Sequence, residues 1–272
     1  MTAFSVLMSV YRKENSDFMR QALDSVLNQT APPAEIVVVE DGPLDESLYR
    51  LLDEYCAHNP NIKRVPLPEN RGLGLALREG MLHCSNELVA RMDTDDISLP
   101  TRFQRQLAEF ERNPSLDICG SHIKEFEDNP DHIVAERRVP LTNNECRTYQ
   151  RRRDAFNHVS VMFRKSAVLK AGNYQHCPLM EDTLLWVNMF KTGATAMNID
   201  DSLVLVRIGK DMFERRGGMG YFRKYRKARR VIYQTGFISW WDYVYTIVMQ
   251  FVVAAMPNKL RGWVFKKLLH KQ

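Results

Sequence analysis

Short apolar runs alternate with helically spaced apolar positions along the first hundred residues. Residues 4–10 are a run of strand formers. Phe18, Ala22 and Val26 then recur at the helical period, accompanied by Leu23 and Leu27. Residues 36–39 are a continuous β-branched run, the pattern of a strand buried on both faces of a parallel sheet. Leu48, Leu51, Leu52 and Tyr55 mark a second helix, 62–67 a third strand, 73–82 a third helix and 87–92 a fourth strand. This β-α-β-α-β-α-β order predicts a doubly wound, mainly parallel sheet flanked by helices.

Beyond residue 98 the pattern changes. Helical spacing over 102–111, 143–152 and 182–191 is mixed with strand-like stretches at 118–126, 159–163 and 194–206. That predicts a mixed or antiparallel extension of the same sheet rather than a separate domain. Gly217-Gly218 offers a hinge before a tail. From 237 to 256 the chain is apolar except for Ser239, Asp242, Thr246 and Gln250, it carries Trp240, Trp241, Tyr243 and Tyr245, and Pro257 ends it. A spanning helix needs about 20 predominantly apolar residues, which this stretch supplies only with Asp242 near an interface. The aromatic residues and the flanking Lys259, Arg261, Lys266 and Lys267 fit better a helix lying in a membrane surface. Leu260, Trp263, Val264 and Leu268 repeat that pattern. A helix pair packed on the core is the plain alternative.

Composition narrows the class. With 272 residues, 44% of them hydrophobic and 26% charged, the chain can bury a sizeable core and is neither disordered nor collagen-like. The formal net charge of +5 hides a split. Residues 207–272 hold 15 Lys and Arg against Asp211, Glu214 and Asp242, a net of +12 that leaves 1–206 at −7. An acidic body with a basic, aromatic tail predicts two surfaces with different partners. Cys56, Cys84, Cys119, Cys146 and Cys177 form no C-x-x-C pair and are odd in number, against a zinc knuckle or disulfide framework. Reduced thiols in a cytosolic setting are the expectation. The N-terminus has no basic n-region and soon reaches Arg12, Lys13 and Glu14, which argues against a signal peptide.

In a doubly wound sheet, ligands bind beyond the carboxyl ends of the strands. Those ends carry Ser9, Tyr11 and Arg12, then Glu40-Asp41-Gly42-Pro43, then Asp93-Thr94-Asp95-Asp96. The first glycine in the chain is Gly42 and no G-x-G-x-x-G or P-loop pattern occurs, so dinucleotide and P-loop sites are excluded. If 93–96 is extended, Asp93 and Asp95 point one way and Asp96 the other. Two convergent carboxylates suit Mg²⁺ or Mn²⁺, with a solvated acidic turn as the plain alternative. Glu40 and Asp41 can accept hydrogen bonds from a base N–H or a ribose hydroxyl, or simply close a turn. Glu181 and Asp182 open a helix, where acids complement the helix dipole or serve as a general base. Arg215 and Arg216 offer forks for phosphate oxygens. His158 is a ligand contact or a structural histidine.

Together these stretches resemble family 2 glycosyltransferases, the GT-A fold enzymes that build bacterial surface polysaccharides. The resemblance rests on Ser5 to Tyr11, Ile36 to Gly42, Asn70-Arg71-Gly72 with Ala76, Leu77, Arg78 and Gly80, and Asp93-Thr94-Asp95-Asp96. It continues through His158 to Lys165 and Glu181 to Trp186, and covers residues 3–220. Gly209-Lys210-Asp211-Met212 and Arg215-Arg216-Gly217-Gly218 are similar to the exopolysaccharide, capsule and O-antigen subgroup, amylovoran-type transferases included. The resemblance implies a metal-dependent, inverting transfer of a sugar from a nucleotide-sugar, UDP-linked by preference, to a saccharide or lipid-linked acceptor. It implies that Asp41 and Glu40 bind the nucleobase, that Asp93 faces ribose or donor sugar, and that Asp95, with Asp93, holds Mn²⁺ or Mg²⁺. Ser9, Tyr11, Thr94, Arg71 and Arg78 line the nucleotide pocket, and Arg215 or Arg216 covers the diphosphate. Asp182 is the base, with Glu181 orienting the acceptor; His158 and Trp186 are acceptor-side.

It further implies a nucleotide-binding half over 1–98, an acceptor half over 99–220 and a basic, aromatic helical tail over 221–272. The protein is then expected to be cytoplasmic and peripheral on the inner face of the cell membrane through 237–272, with no nucleic-acid partner. Glu-Asp-Gly-Pro stands where Asp-Asp-Gly-Ser is commoner, and no Gln-x-x-Arg-Trp occurs, which implies single rather than processive addition. Two rivals remain: a metal-dependent nucleotidyltransferase, which normally opens with a glycine-rich loop missing here, and a non-enzymatic membrane adaptor built on the tail.

Overall fold

The computed structural model describes residues 2–209 and 218–256. Its sheet begins with β1 (Phe4–Val10), β2 (Glu35–Glu40), β3 (Ile62–Pro66) and β4 (Leu88–Arg91), followed by the short β5 (Ile97–Ser98). The second half adds β6 (Ile118–Phe126), β7 (Ile133–Arg137), β8 (Met162–Arg164) and β9 (Ala196–Arg207). The strand order is β3-β2-β1-β4-β8-β6-β9-β5, with β7 beside β6. The first four strands are parallel, as the alternating pattern predicts. β8 then enters antiparallel to both β4 and β6, while β6 and β9 run parallel. The second half therefore continues the same sheet.

Alternate residues of the strands feed two cores. Val6, Met8 and Val10 of β1 pack with α1 (Ser16–Leu27), α2 (Glu46–His58) and α4 (Arg102–Arg112). Leu7, between them, faces α3 (Leu73–His83) and α7 (Glu181–Lys191). Burial on both faces explains why these strands read as unbroken apolar runs. The expected strand at 159–163 is shorter: His158–Ser160 form a 3-10 turn, and pairing begins at Met162. There the Ser160 hydroxyl donates to the Asn157 carbonyl at 2.9 Å and accepts the Ser121 N–H at 3.1 Å, a local bond that competes with the ladder. The helix expected over 143–152 is α5 (Asn143–Tyr149), opened by a Thr142/Glu145 capping box, and 150–153 turn away from it. The short α6 (Lys165–Lys170) follows β8 directly.

A buried polar cluster fixes the carboxyl end of β4. Arg102 of α4 donates from Nη2 to the Arg91 carbonyl at 2.8 Å and from Nε to Gln106 at 3.1 Å. Gln106 in turn donates to the carbonyls of Cys119 and Ser160 at 2.8 and 2.9 Å, joining β4, β6 and the 3-10 turn. Complete burial, and the Arg91 guanidinium nearby, push the Arg102 pKa down to about 9.

The tail forms α8 (Gly218–Gln234) and α9 (Trp240–Ala255). Ala228, Ile232 and Ile238 pack against Leu184 and Val187 of α7, so the pair does rest on the core along one side. Asp242 does not lie at a membrane interface. It is buried, closes a capping box with Ser239 and accepts from Arg152 at 2.6 Å. The outer side of α9 stays open, with Trp240 53% and Trp241 71% exposed beside Tyr245, Val248, Phe251 and Val252. No helix among the described residues is long and apolar enough to cross a membrane. Pro257, Lys259, Leu260, Arg261, Trp263, Val264, Lys266, Lys267 and Leu268 lie outside the described residues.

Candidate active site

The sheet's switch point lies where the order turns from β1 back to β4, and a cavity of about 250 Å³ opens there. Its walls include Ser9, Tyr11, Glu14, Asp41, Asn70, Gly72, Leu73, Asp93, Thr94 and Asp95. Five of the six nucleotide-side residues expected from the ends of β1, β2 and β4 (Ser9, Tyr11, Asp41, Asp93 and Thr94) are thus in one cavity. Glu40 is the exception. Its carboxylate is buried and paired with Arg64, turned away from the opening.

Asp41 sits on the turn after β2, where Gly42 has φ of +83°. A Cβ there would lie 2.5 Å from the Asn70 nitrogen, so only glycine lets the 69–72 segment approach. In return Asp41 accepts the Arg71 N–H at 2.7 Å and the Gly72 N–H at 3.0 Å. Those amides open α3, and the carboxylate caps its positive end. The Arg71 and Arg78 side chains are exposed at the rim rather than in the cavity wall.

After Arg91 the chain leaves the sheet, and 94–96 bend. Asp96 consequently does not point away from its neighbours. Ligand atoms of Asp93, Asp95 and Asp96 all lie within 4.8 Å of one another. Burial and mutual repulsion push Asp95 up to about 6 and raise Asp96 well above the usual carboxylate range. Two guanidiniums oppose this charge. Arg91, fully buried, is ion-paired with Asp93. Arg207 at the end of β9 donates its backbone N–H to Asp96 at 2.8 Å and its Nε to the Asp95 carbonyl at 3.1 Å, held between the rings of Phe18 and Phe126. The donor set is all carboxylate oxygen, and a hard divalent cation between these groups would relieve the repulsion that raises Asp95 and Asp96.

Glu181 and Asp182 open α7 on the other side of Arg91. Asp182 is half-buried and pushed up to about 7, first by desolvation and then by the carboxylates of Asp154 and Glu181. Burial raises Glu181 as well. Asp154 is fixed there by accepting the Thr183 hydroxyl at 2.6 Å. The two halves touch at Gly74, whose absent Cβ would stand 2.8 Å from the Glu181 Cβ. Arg91 carries charge toward both sides, being paired with Asp93 and lowering the pKa of Glu181 and Asp182. Asp41, Asp93 and Asp95 thus line one cavity, and Arg91, paired with Asp93, also acts on Asp182.

Trp186 is placed differently from the expectation: it is wholly buried against Phe156 and Phe163, in the core. His158 is half-buried, bonds the Tyr174 hydroxyl at 2.8 Å and meets Trp186 edge-on, and desolvation holds it well below its usual pKa, hence neutral. Arg215 and Arg216 lie outside the described residues.

Sequence reasoning missed Glu14, Arg91 and Arg207, and it named Asp96 but expected it to point away from Asp93 and Asp95. Glu14 folds back through a turn, its N–H on the Tyr11 carbonyl at 3.0 Å, and is pushed up to about 7 by burial and by Asp95 and Asp93. The available signal was Arg91, a charge ending an apolar strand, since a buried charge needs a partner.

Comparison with known proteins identifies the family and the fold. Residues 5–176 match Glycosyl transferase family 2. The amylovoran biosynthesis glycosyltransferase AmsE of Erwinia amylovora is 38% identical over 267 residues, covering 97% of this chain and 98% of that protein. The UDP-Gal:alpha-D-GlcNAc-diphosphoundecaprenol beta-1,3-galactosyltransferase of Escherichia coli is 34% identical over 268 residues, covering 98% and 97%. The crystal structure of S. aureus TarS 1-349 in complex with UDP-GlcNAc superposes with a TM-score of 0.64 at 16% identity, over 96% of this chain and 69% of that one, a likeness of fold. With a GT-A-like sheet and this match over most of its length, the chain belongs to glycosyl transferase family 2.

Proposed function

We propose that the protein transfers a single sugar from a UDP-sugar, with inversion, to a saccharide carried on a lipid, during bacterial surface polysaccharide assembly. The observation that carries this reading is the arrangement of Asp41, Asp93 and Asp95 in one cavity with Asp182 across Arg91 from them. The relatives' names support the polysaccharide context and the lipid-linked acceptor, and the TarS complex supports a UDP-sugar.

In this reading Asp41 and the amides it orders at Arg71 and Gly72 hold the nucleobase, with Ser9, Tyr11 and Thr94 completing the pocket. Asp93, Asp95 and Asp96 hold Mn²⁺ or Mg²⁺, which supplies positive charge to the leaving diphosphate when bound. Arg71, Arg78, Arg215 and Arg216 add cations around the donor phosphates. A hydroxyl is a weak nucleophile at neutral pH, so a base must take its proton on the face opposite the leaving group. Asp182 fits that task because a carboxyl whose pKa is raised to about 7 is basic enough to accept the proton and is still ionised in a substantial fraction at neutral pH. Glu181 orients the acceptor. Residues 1–98 serve the donor, 99–220 the acceptor, and 221–272 dock on the inner face of the cell membrane, where the exposed aromatic side of α9 meets lipid and the basic residues of α8 meet anionic headgroups.

The test is a thermal-shift screen of nucleotide-sugars with and without Mn²⁺, followed by transfer assays that read the anomeric configuration of the product by NMR. Stabilisation by one UDP-sugar only with the cation, and an inverted product, are expected. Pyrophosphate exchange with a nucleoside triphosphate and no sugar transfer would instead identify a nucleotidyltransferase.

A further inference from the structure

The loop after α5 carries three consecutive arginines, Arg151, Arg152 and Arg153, all exposed. Its two ends are anchored in different places. At one end Asp154, next in the chain, accepts from Thr183 and crowds Asp182, so the loop leaves directly from the base. At the other end it is fastened to the tail. Arg152 donates to Asp242 at 2.6 Å and lies 4.8 Å over the ring of Tyr245 in α9. Arg229 of α8 is buried, bonds Thr246 at 3.0 Å, and donates its Nη2 to the Arg151 carbonyl. A buried guanidinium is thus committed to holding the backbone of an exposed arginine loop.

That bracing leaves Arg151 and Arg153 free of carboxylate partners among the described residues, with Arg153 resting on the Tyr149 ring at 5.7 Å. The loop lies between two surfaces: Asp154 ties it to the carboxylates of Asp182 and Glu181, and Arg152 ties it to α9, whose apolar side is formed by Trp241, Tyr245, Val248 and Val252. An amphiphile with a saccharide, an anionic linker and a hydrocarbon in that order suits acids, a cationic loop and an apolar helix face linked in this way. Guanidinium forks match phosphate oxygens in paired fashion, and two such forks suit two linked phosphates.

We propose that residues 151–153 bind the diphosphate that joins an acceptor saccharide to its lipid, which places the acceptor hydroxyl at Asp182. The proposal rests on the transferase reading above and names the acceptor's chemical class. It makes Arg151 and Arg153 determinants of acceptor specificity, with Arg152, Arg229 and Asp242 as positioning residues.

The test separates the site from the reaction. Farnesyl diphosphate is the binding probe, titrated calorimetrically in EDTA so that any cation-dependent donor site stays silent. Replacing Arg151 and Arg153 together by Ala is expected to weaken binding at least tenfold, with Lys at both positions recovering part of it and Arg50→Ala on α2 changing nothing. In transfer assays the Ala pair is expected to raise KM for monosaccharide diphospho-alkyl acceptors and to leave KM for matched alkyl glycosides and the affinity for UDP unchanged. Equal farnesyl diphosphate binding by wild type and the Ala pair overturns the proposal. So does a loss confined to anionic vesicles, which would make the loop a contact for bilayer headgroups. Should the wild type transfer sugar to no acceptor while farnesyl diphosphate binding still depends on the two arginines, the transferase reading fails and the diphosphate site stands.

Discussion

Arg91 reaches from the buried end of β4 to ion-pair with Asp93, only two residues further on, and so places a fixed positive charge beneath the acidic mouth of the cleft. Its Nε and Nη1 have no hydrogen-bond partner, so Asp93 supplies the main compensation for a desolvated guanidinium. Breaking a fully buried pair costs about 3–5 kcal/mol; Asp93 is partly open to water, so Arg91→Met is expected to cost about 2–3 kcal/mol in urea denaturation. An unchanged midpoint would show that the pair contributes nothing to the fold.

Asp182→Asn should lower turnover about 10²–10⁴-fold while UDP binding persists, because the base is lost and the nucleotide pocket is untouched. Its raised pKa gives two further signs. The rate should climb with pH through about 7 as the carboxyl ionises. For stability the direction reverses. A carboxyl whose folded pKa lies above its unfolded value binds its proton more tightly when folded, so its contribution is present at low pH and is lost as pH rises toward 7. The Asn variant should therefore be more stable than wild type by about 1–2 kcal/mol at pH 8 and show no such gain at pH 4. Equal stability at both pH values would count against a strained, desolvated Asp182.

Asp95→Ala is expected to abolish the Mn²⁺-dependent part of UDP binding, read by calorimetry with and without EDTA. In wild type that part should fade below about pH 6, where Asp95 takes up a proton. UDP affinity that ignores both the cation and Asp95 would remove the metal from the reading.

The legible parts of this molecule are those that obey one period at a time. β1, β2 and β4 are apolar on both faces, and α1, α2 and α3 repeat at the helical spacing, so they are visible in the sequence. β5 is too short for any period, β7 has no fully buried face, and 159–163 reads as a strand although Ser160 spends its hydroxyl on the backbone. At the site, strand-end acids could be named because fold geometry sends ligands there. Asp96 could not be oriented, since alternation holds only while the chain stays extended and it bends after Arg91. Trp186 lies within the stretches that carry the family resemblance, yet it is wholly buried, with the half-buried His158 edge-on to it. Asp154 and the arginines before it gain meaning only from contacts with α7, α8 and α9, which no local pattern encodes.

The open side of α9 gives a membrane test that leaves the fold intact. Trp241 and Val248 are exposed, and neither belongs to the cluster that seats the tail on α7. Replacing both by Ser should reduce partitioning into vesicles containing anionic lipid at least tenfold, equivalent to about 1.4 kcal/mol, with the melting temperature unchanged. Binding by the wild type should also weaken with salt, because exposed Arg223, Lys224, Arg226, Lys227 and Arg230 of α8 contribute electrostatically. Partitioning that the two substitutions leave unchanged would move the docking surface elsewhere.

Gly42 is where backbone chemistry and nucleotide binding are joined. An alanine there meets a left-handed φ of +83° and places its Cβ 2.5 Å from the Asn70 nitrogen, a backbone atom that cannot rotate away. The left-handed conformation alone costs about 1–2 kcal/mol for a residue with a Cβ, and the clash adds to it. Relief requires the 69–72 segment to withdraw, which lengthens the bonds from the Arg71 and Gly72 amides to Asp41. Gly42→Ala should thus lower stability by at least about 2 kcal/mol and also weaken UDP binding, even though Gly42 contributes no side chain to the cavity. If UDP affinity holds while stability falls, the Asp41 bridge to α3 is structural and the nucleobase is held elsewhere.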